Sequence, residues 1–331
     1  MQLKKIAILL IGAAMWVLPH PGFTQVSSFD KVGTTSFQFL SVVPNARASG
    51  MGGASAAVIQ RSEAVFFNPA LLTTTTHLDV AAAYVDWFLD VSISSLSFAY
   101  SLPGFGTIGI LAQATNIGEI EETRVDHLFR DETTGRYNPG TTGNTVSANS
   151  IVVGISYARD LTDKFAFGVT AKYARENLAG QAAADLMFEG GIVYRTGYKS
   201  LMLGAMLQHF GPDVKYFNES YPLPQRFSIG LSGYAIGPDA SLFAHSDKHR
   251  LLLAYDLAQT RDHSQQQHIG AEYRFAEFLS LRAGYKVNFD EEGLTFGAGL
   301  NVKNFRLDYA YNDFGSILEN VQRFTVTFHF D

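Results

Sequence analysis

The stretch His268–Asn288, HIGAEYRFAEFLSLRAGYKVN, decides the fold. Ile269, Ala271, Tyr273 and Phe275 alternate with His268, Gly270, Glu272 and Arg274. After a short break, Leu279, Leu281, Ala283, Tyr285 and Val287 alternate with Ser280, Arg282, Gly284, Lys286 and Asn288. A period of two marks a strand with one apolar face, and two such runs joined by a few residues read as a hairpin. The same period continues outward through Leu294, Phe296, Ala298, Leu300 and Val302, through Phe305, Leu307, Tyr309 and Tyr311, and through Phe324, Val326, Phe328 and Phe330. Along the chain about fourteen segments follow it, mostly of roughly 9 to 14 residues. They lie near 78–86, 91–101, 106–118, 146–159, 163–176, 184–195, 200–210, 225–236, 249–259, 266–276, 278–288, 293–302, 305–313 and 321–330.

Composition narrows what these strands build. Charged residues are 17% of the 331, below the roughly 25% of a soluble domain. The 26 Phe, 15 Tyr and 30 Gly favour strands and close backbone packing and make an all-α protein a poor fit. A net charge of −6 leaves no basic footprint for a nucleic acid, and zero Cys excludes disulfides, thiolate metal sites and a Cys nucleophile.

Alternation alone fits both a soluble sandwich, with its apolar face inward, and a membrane barrel, with that face toward lipid. Three features favour the barrel. The segments match the 9 to 11 tilted residues that cross a bilayer and exceed the soluble mode of about 5 or 6. Longer loops, chiefly 119–145 and 211–224, tend to alternate with tight turns, 237–248 being the one misfit. Aromatic residues sit at strand ends: Phe165, Phe275, Phe278 and Phe305 by the turns, Trp87, Phe88, Phe210, Phe289 and Phe314 by the loops. The expectation is an all-β, fourteen-stranded antiparallel transmembrane barrel over 78–331. Its lipid-facing wall, which cannot carry charge, accounts for the charge deficit.

Residues 1–25 read as a signal peptide. Lys4 and Lys5 precede an apolar run from Ile6 to Leu18, too short to span a bilayer, and cleavage is expected near Thr24 or Gln25. Residues 26–77 lack sustained alternation and hold too few large apolar groups for a core of their own. They read as a hatch in the lumen, with a short helix near Ala54–Gln60. The lumen face carries Gly154, Gly168, Gly204, Gly230, Gly270, Gly284, Gly297 and Gly299, which either admit something close to the wall or permit curvature.

The run Ala46-Arg47-Ala48-Ser49-Gly50-Met51-Gly52-Gly53-Ala54, followed by Ala64-Val65-Phe66-Phe67-Asn68-Pro69-Ala70-Leu71-Leu72, resembles the N-terminal signature of the PorV/PorQ family of outer-membrane proteins. These are distant relatives of the FadL-type fatty-acid transporters. Gly293–Leu300, Asp308-Tyr309-Ala310-Tyr311, Phe314-Gly315 and Arg323 are similar to the family's C-terminal segment. The resemblance implies a fourteen-stranded barrel in the outer membrane of a Gram-negative bacterium, with Arg47, Gly50, Gly52, Gly53, Asn68 and Pro69 as the hatch motif. It further implies a part in type IX protein secretion or in surface attachment of cargo, with secretion components and cargo proteins as partners. FadL relatives instead pass hydrophobic ligands through the lumen and sideways through the wall.

Chemical motifs are weak. Gly104, Gly106 and Gly109 match the letters of a dinucleotide fingerprint without a following helix, and Gly230-Leu231-Ser232-Gly233 misses the spacing of a nucleophile elbow. His245, Asp247 and His249 fall on a polar turn and read as solvated rather than as metal ligands. The chain is expected to be no enzyme and to use no cofactor and no metal. Arg226, Arg250, Glu272, Arg274, Arg282, Lys286, Arg306, Asp308 and Arg323 form a belt of mixed charge on the lumen face. The belt either pairs internally and holds the hatch, or holds an anionic head group or cargo carboxylate. Two functions stand side by side: a secretion protein docking partners on its outer loops, or a transporter in which Phe37, Phe39, Leu40, Phe66 and Phe67 line the path of a hydrophobic ligand.

Overall fold

The computed structural model describes residues 31–330 apart from Phe217, Asp239 and 316–319. The signal peptide expected over 1–25 lies outside the described residues. Fourteen strands form the wall: β1 Leu78–Asp86, β2 Ser92–Leu102, β3 Gly106–Arg130, β4 Tyr137–Thr162, β5 Phe165–Leu178, β6 Gln181–Arg195, β7 Met202–Phe210, β8 Arg226–Gly237, β9 His249–Thr260, β10 Gln266–Phe275, β11 Leu279–Val287, β12 Leu294–Val302, β13 Phe305–Asn312 and β14 Val321–Phe330. Each pairs antiparallel with its neighbours in sequence, and β14 closes on β1 from Leu78↔Phe330 to Asp86↔Gln322. Closure leaves no strand edge unpaired in the apolar layer, the condition for crossing lipid with strands.

Side chains divide by the pleat. Leu281, Tyr285, Phe296, Leu300, Phe324 and Phe328 point outward and stay exposed, while Ser280, Arg282, Lys286, Thr295, Arg323, Thr325 and Thr327 point inward and are buried. An apolar exterior around a polar, filled interior is the arrangement of a transmembrane barrel and the inverse of a soluble sandwich. One mouth carries the tight turns and the chain ends of the barrel; the other carries the loops. In barrels of this kind the turns face the periplasm and the loops the exterior.

Three expectations are corrected, and the one misfit is explained. The 119–145 loop continues as strand: β3 and β4 run 25 and 26 residues, leaving the wall as one ribbon whose outer parts pair with each other. Backbone pairing replaces the expected coil because this polar segment still contains Thr, Val and Ile at strand-compatible positions. The 237–248 turn is long because it folds back, with Ala244–His245 pairing parallel to Ile236–Gly237. Four loop-side aromatics do not join a lipid girdle: Trp87, Phe88 and Phe314 stack on one another, and Phe289 packs edge-on to His268. Last, the hatch helix lies not at 54–60 but at α1, Ala46–Gly50, where the Asn45 side chain accepts from the Ala48 N–H at 2.8 Å. That cap satisfies one of the backbone donors a helix start leaves open.

Candidate functional site

The hatch runs the length of the lumen. At the loop mouth Lys31 N–H donates to Asp262 O at 2.9 Å and Ser36 N–H to Pro222 O at 2.8 Å. The Asp262 carboxylate accepts from Thr35 Oγ1 at 2.9 Å and Gln38 Nε2 at 3.0 Å. Burial pushes this carboxyl up, but hydrogen bonds from Gln38, His263 and Thr35 outweigh it and hold the group below its ordinary value. From there the chain passes through a 3-10 turn at Gln38–Ser41, through α1 against β11–β14, and through 3-10 turns at Arg61–Phe66 and Pro69–Thr74 against β1–β6. It leaves at the turn mouth as β1.

On one side the hatch is held by charge. Arg47 Nε donates to Glu272 Oε2 at 2.9 Å and Arg47 Nη2 to Glu272 Oε1 at 3.0 Å, a bidentate pair between α1 and β10. Burial alone would lower the Arg47 pKa; the Glu272 carboxylate outweighs it and keeps the guanidinium above its ordinary value. Glu272 also accepts from Arg282 at 2.6 Å and Arg274 at 3.0 Å. Arg282 reaches Asp308 at 2.8 Å, Asp308 accepts from Arg306 at 2.7 Å, and Arg306 closes the chain on Glu63 of the hatch. Arg250 joins through Glu277 at 2.6 Å. Six residues of the expected belt thus form one network around the hatch: Arg250, Glu272, Arg274, Arg282, Arg306 and Asp308. Two belt arginines stand outside it. Arg323 donates to Val43 O at 3.0 Å and lies over the Trp87 ring at 5.2 Å, and Arg226 meets Ser228 and His268. Lys286 pairs separately with Glu292.

On the other side the hatch is seated by close approach. A Cβ on Gly191 would lie 2.0 Å from Asn68 Oδ1, one on Gly168 2.3 Å from the Pro69 carbonyl carbon, and one on Gly204 2.1 Å from Ala56 O. Asn68 uses the room: its amide donates to Ala56 O at 2.7 Å and Ile192 O at 3.1 Å, and its oxygen accepts from Ala70 N–H at 3.1 Å. Pro69 opens the 3-10 turn that follows, a position where its missing N–H costs nothing. Across the lumen Gly284 lies under Gly52 and Gly297 under Gly50, and Gly52 itself has φ +68° with Ile269 O 2.7 Å from where its Cβ would stand. Gly53, also at positive φ, lies against the His268 ring. Two glycines of the expected set do otherwise: Gly154 faces Lys172 and Leu111, and Gly299 faces Asp308 and Arg282.

Between hatch and wall along β2–β6 lies an apolar file. Phe37, Val65, Leu71 and Leu72 are buried against Ala99, Leu111, Ala158, Ala166, Ala174 and Met187, with Phe39, Leu40 and Phe66 packed on the same cluster. At the loop mouth Tyr216 stands edge-on to Phe37 with centroids 6.4 Å apart and hydrogen-bonds Glu176. Of the four rings expected to line a ligand path, Phe37, Phe39 and Phe66 share this file, whereas Phe67 belongs to a second cluster with Met51, Ile59 and Met206.

Three constellations were not anticipated. Asp256 accepts from the Ser55 and Ala56 N–H groups at 2.7 and 2.8 Å. His268 Nδ1 lies 2.7 Å from Gly52 O. Lys172, Glu189 and His209 form a buried row on β5–β7, at 2.8 and 3.2 Å. Each sits at an inward position of an alternating strand, which marks it as luminal without naming its partner. His245, Asp247 and His249, read from the sequence as a solvated turn, do not converge: His245 meets Asp247 at 3.4 Å while His249 turns to Tyr273.

No family model and no curated protein matches the chain. Solved structures do. The Pseudomonas putida toluene transporter TodX is 14% identical, with 85% of this chain and 95% of that one covered at a TM-score of 0.54. The monoaromatic hydrocarbon channel CymD is 15% identical, with 88% and 98% covered at 0.53. A Pseudomonas aeruginosa FadL homologue is 10% identical, with 87% and 98% covered at 0.51. At such identities the likeness is one of fold: the chain has the architecture of FadL-like outer-membrane barrels.

Proposed function

We propose that this chain is an outer-membrane transporter of small hydrophobic molecules in a Gram-negative bacterium. The observation that carries the reading is the apolar file, which runs from the loop mouth inward between the hatch and an alanine-lined wall. Non-directional contacts of this kind can be exchanged for a hydrophobic ligand at little cost, and the similar barrels are named for toluene and monoaromatic hydrocarbons. The same reading puts the side exit at the β6–β7 seam. There the register slips between Phe188 and Gly190, Gln208 and His209 both turn inward, and Gly190 presents no side chain to the lipid. A deletion strain scored for toluene uptake and for surface-attached cargo tests the reading. Reduced uptake with intact cargo is expected; lost cargo with normal uptake would replace it.

The secretion reading has one structural observation in its favour. The ribbon of β3 and β4 exposes Val125, Leu128, Phe129 and Tyr137 beyond the wall, a surface suited to a protein partner. The hatch motif that suggested the PorV/PorQ likeness is engaged internally, so partner docking would fall to the ribbon, and the cargo arm of the same experiment tests it.

A further inference from the structure

At the turn mouth the hatch leaves a chamber of about 310 Å³ beneath its Ala57–Arg61 turn. Its two sides differ in chemistry. Met202, Tyr234 and Leu252 of β7–β9, with Val58 of the hatch, place apolar and aromatic groups on one side, beside the hydroxyls of Ser200 and Ser232. Arg274, Lys303 and Arg306, with Arg47 and Arg61 of the hatch, place five cations on the other, beside Glu277, Asn301 and His329. With Arg250 and Arg282 behind them these cations meet Glu63, Asp79, Glu272, Glu277 and Asp308, so the positive groups outnumber the acids that pair with them. Arg274 Nε is buried without a hydrogen-bond partner, and Lys303 makes no ion pair among the described residues. An excess of one sign inside low-dielectric walls focuses its field on the opening, and an unmet guanidinium donor favours an acceptor that enters.

We infer that this chamber binds a small organic anion with an apolar body, an aromatic carboxylate being the class that fits. The carboxylate meets Arg274 and Lys303, and the ring lies toward Tyr234 and Leu252. The volume is at the lower end of ligand pockets, enough for one ring and its acid group. The chamber lies at the mouth opposite the Phe37–Tyr216 contact, so the transport reading and this one stand or fall separately.

Calorimetric titration of the purified full barrel in detergent, with benzoate and with inorganic phosphate as probes, tests the inference. Benzoate saturates one site and phosphate binds at least about ten-fold more weakly, the weight of about 1.4 kcal/mol. Lys303→Glu, on an exposed turn where heat-modifiable migration reports an intact barrel, weakens benzoate by about ten-fold or more, while Lys303→Arg retains it. Phosphate binding as tightly as benzoate would reduce the chamber to an inorganic-anion seat and overturn the proposal. So would the absence of saturation by benzoate, or benzoate binding indifferent to Lys303→Glu. Toluene uptake by the Lys303→Glu strain, expected at the wild-type rate, keeps this outcome apart from the transport reading.

Discussion

Along β10–β14 the wall meets the hatch through Glu272 and Arg306, linked to each other by Arg282 and Asp308, whereas along β2–β6 it meets it through Ala99, Ala158, Ala166 and Ala174. The first contact is directional and hard to exchange, because parting a buried ion pair strands a charge in a place water does not reach. The second is non-directional, and an incoming apolar molecule restores most of what it displaces. One segment is therefore pinned on one flank and able to yield on the other. A plugged barrel can admit a ligand without losing its plug if the ligand enters on the yielding flank.

The comparison breaks most visibly at Glu272. Glu272→Ala strands Arg47, Arg274 and Arg282 together and is expected to cost about 3 to 5 kcal/mol, read as a lowered melting temperature with loss of hatch protection in hydrogen exchange. An unchanged melting temperature would mean that the ionic flank does not pin. The seated flank comes next. Gly191→Val drives a side chain into Asn68 and should cost about 1 to 3 kcal/mol, raising small-solute entry in liposome swelling while heat-modifiable migration persists. Its neighbour sharpens the contrast: a Cβ on Gly190 meets nothing within 4 Å. Gly190→Val should keep wild-type stability and lower toluene uptake several-fold, and undiminished uptake would remove the β6–β7 seam from the route. The smallest effect lies at the loop mouth. The Asp262 carboxyl has a depressed pKa, so its contribution is present above its unfolded value and is lost as pH falls through the folded one. Limited proteolysis should therefore open residues 31–40 progressively below about pH 4, and Asp262→Asn should remove that pH dependence.

The strands were legible because the pleat repeats every two residues and one face had to be apolar: β8, β9 and β14 fall within a residue of where alternation put them. The belt was legible for the same reason, since a charge at an inward position of β10 or β13 can only be luminal. Its partners were not. Glu63 lies in a stretch without periodicity, and nothing near it in the sequence announces Arg306, 243 residues away. The helix was misplaced because Ala54–Gln60 has the better helical composition while Asn45 has the cap, and in a five-residue helix the cap decides. The ribbon was missed because its residues alternate poorly once neither face is buried, so the pattern that marks a strand fades where both faces meet water.

That ribbon has reach. Beyond Asn116 the third strand has the fourth as its neighbour and no longer the second, and the partner stretch Tyr137–Ser147, at roughly 3.3 Å per residue, lets the bulged ribbon extend up to about 35 Å past the second strand. A body as large as an antibody, a phage fibre or another cell's surface meets this mast before it meets the barrel mouth below, whereas a molecule of solvent size can reach that mouth past its foot. On the transport reading proposed above, selection by size would begin at this hairpin, above the bilayer, before a ligand meets the plugged lumen.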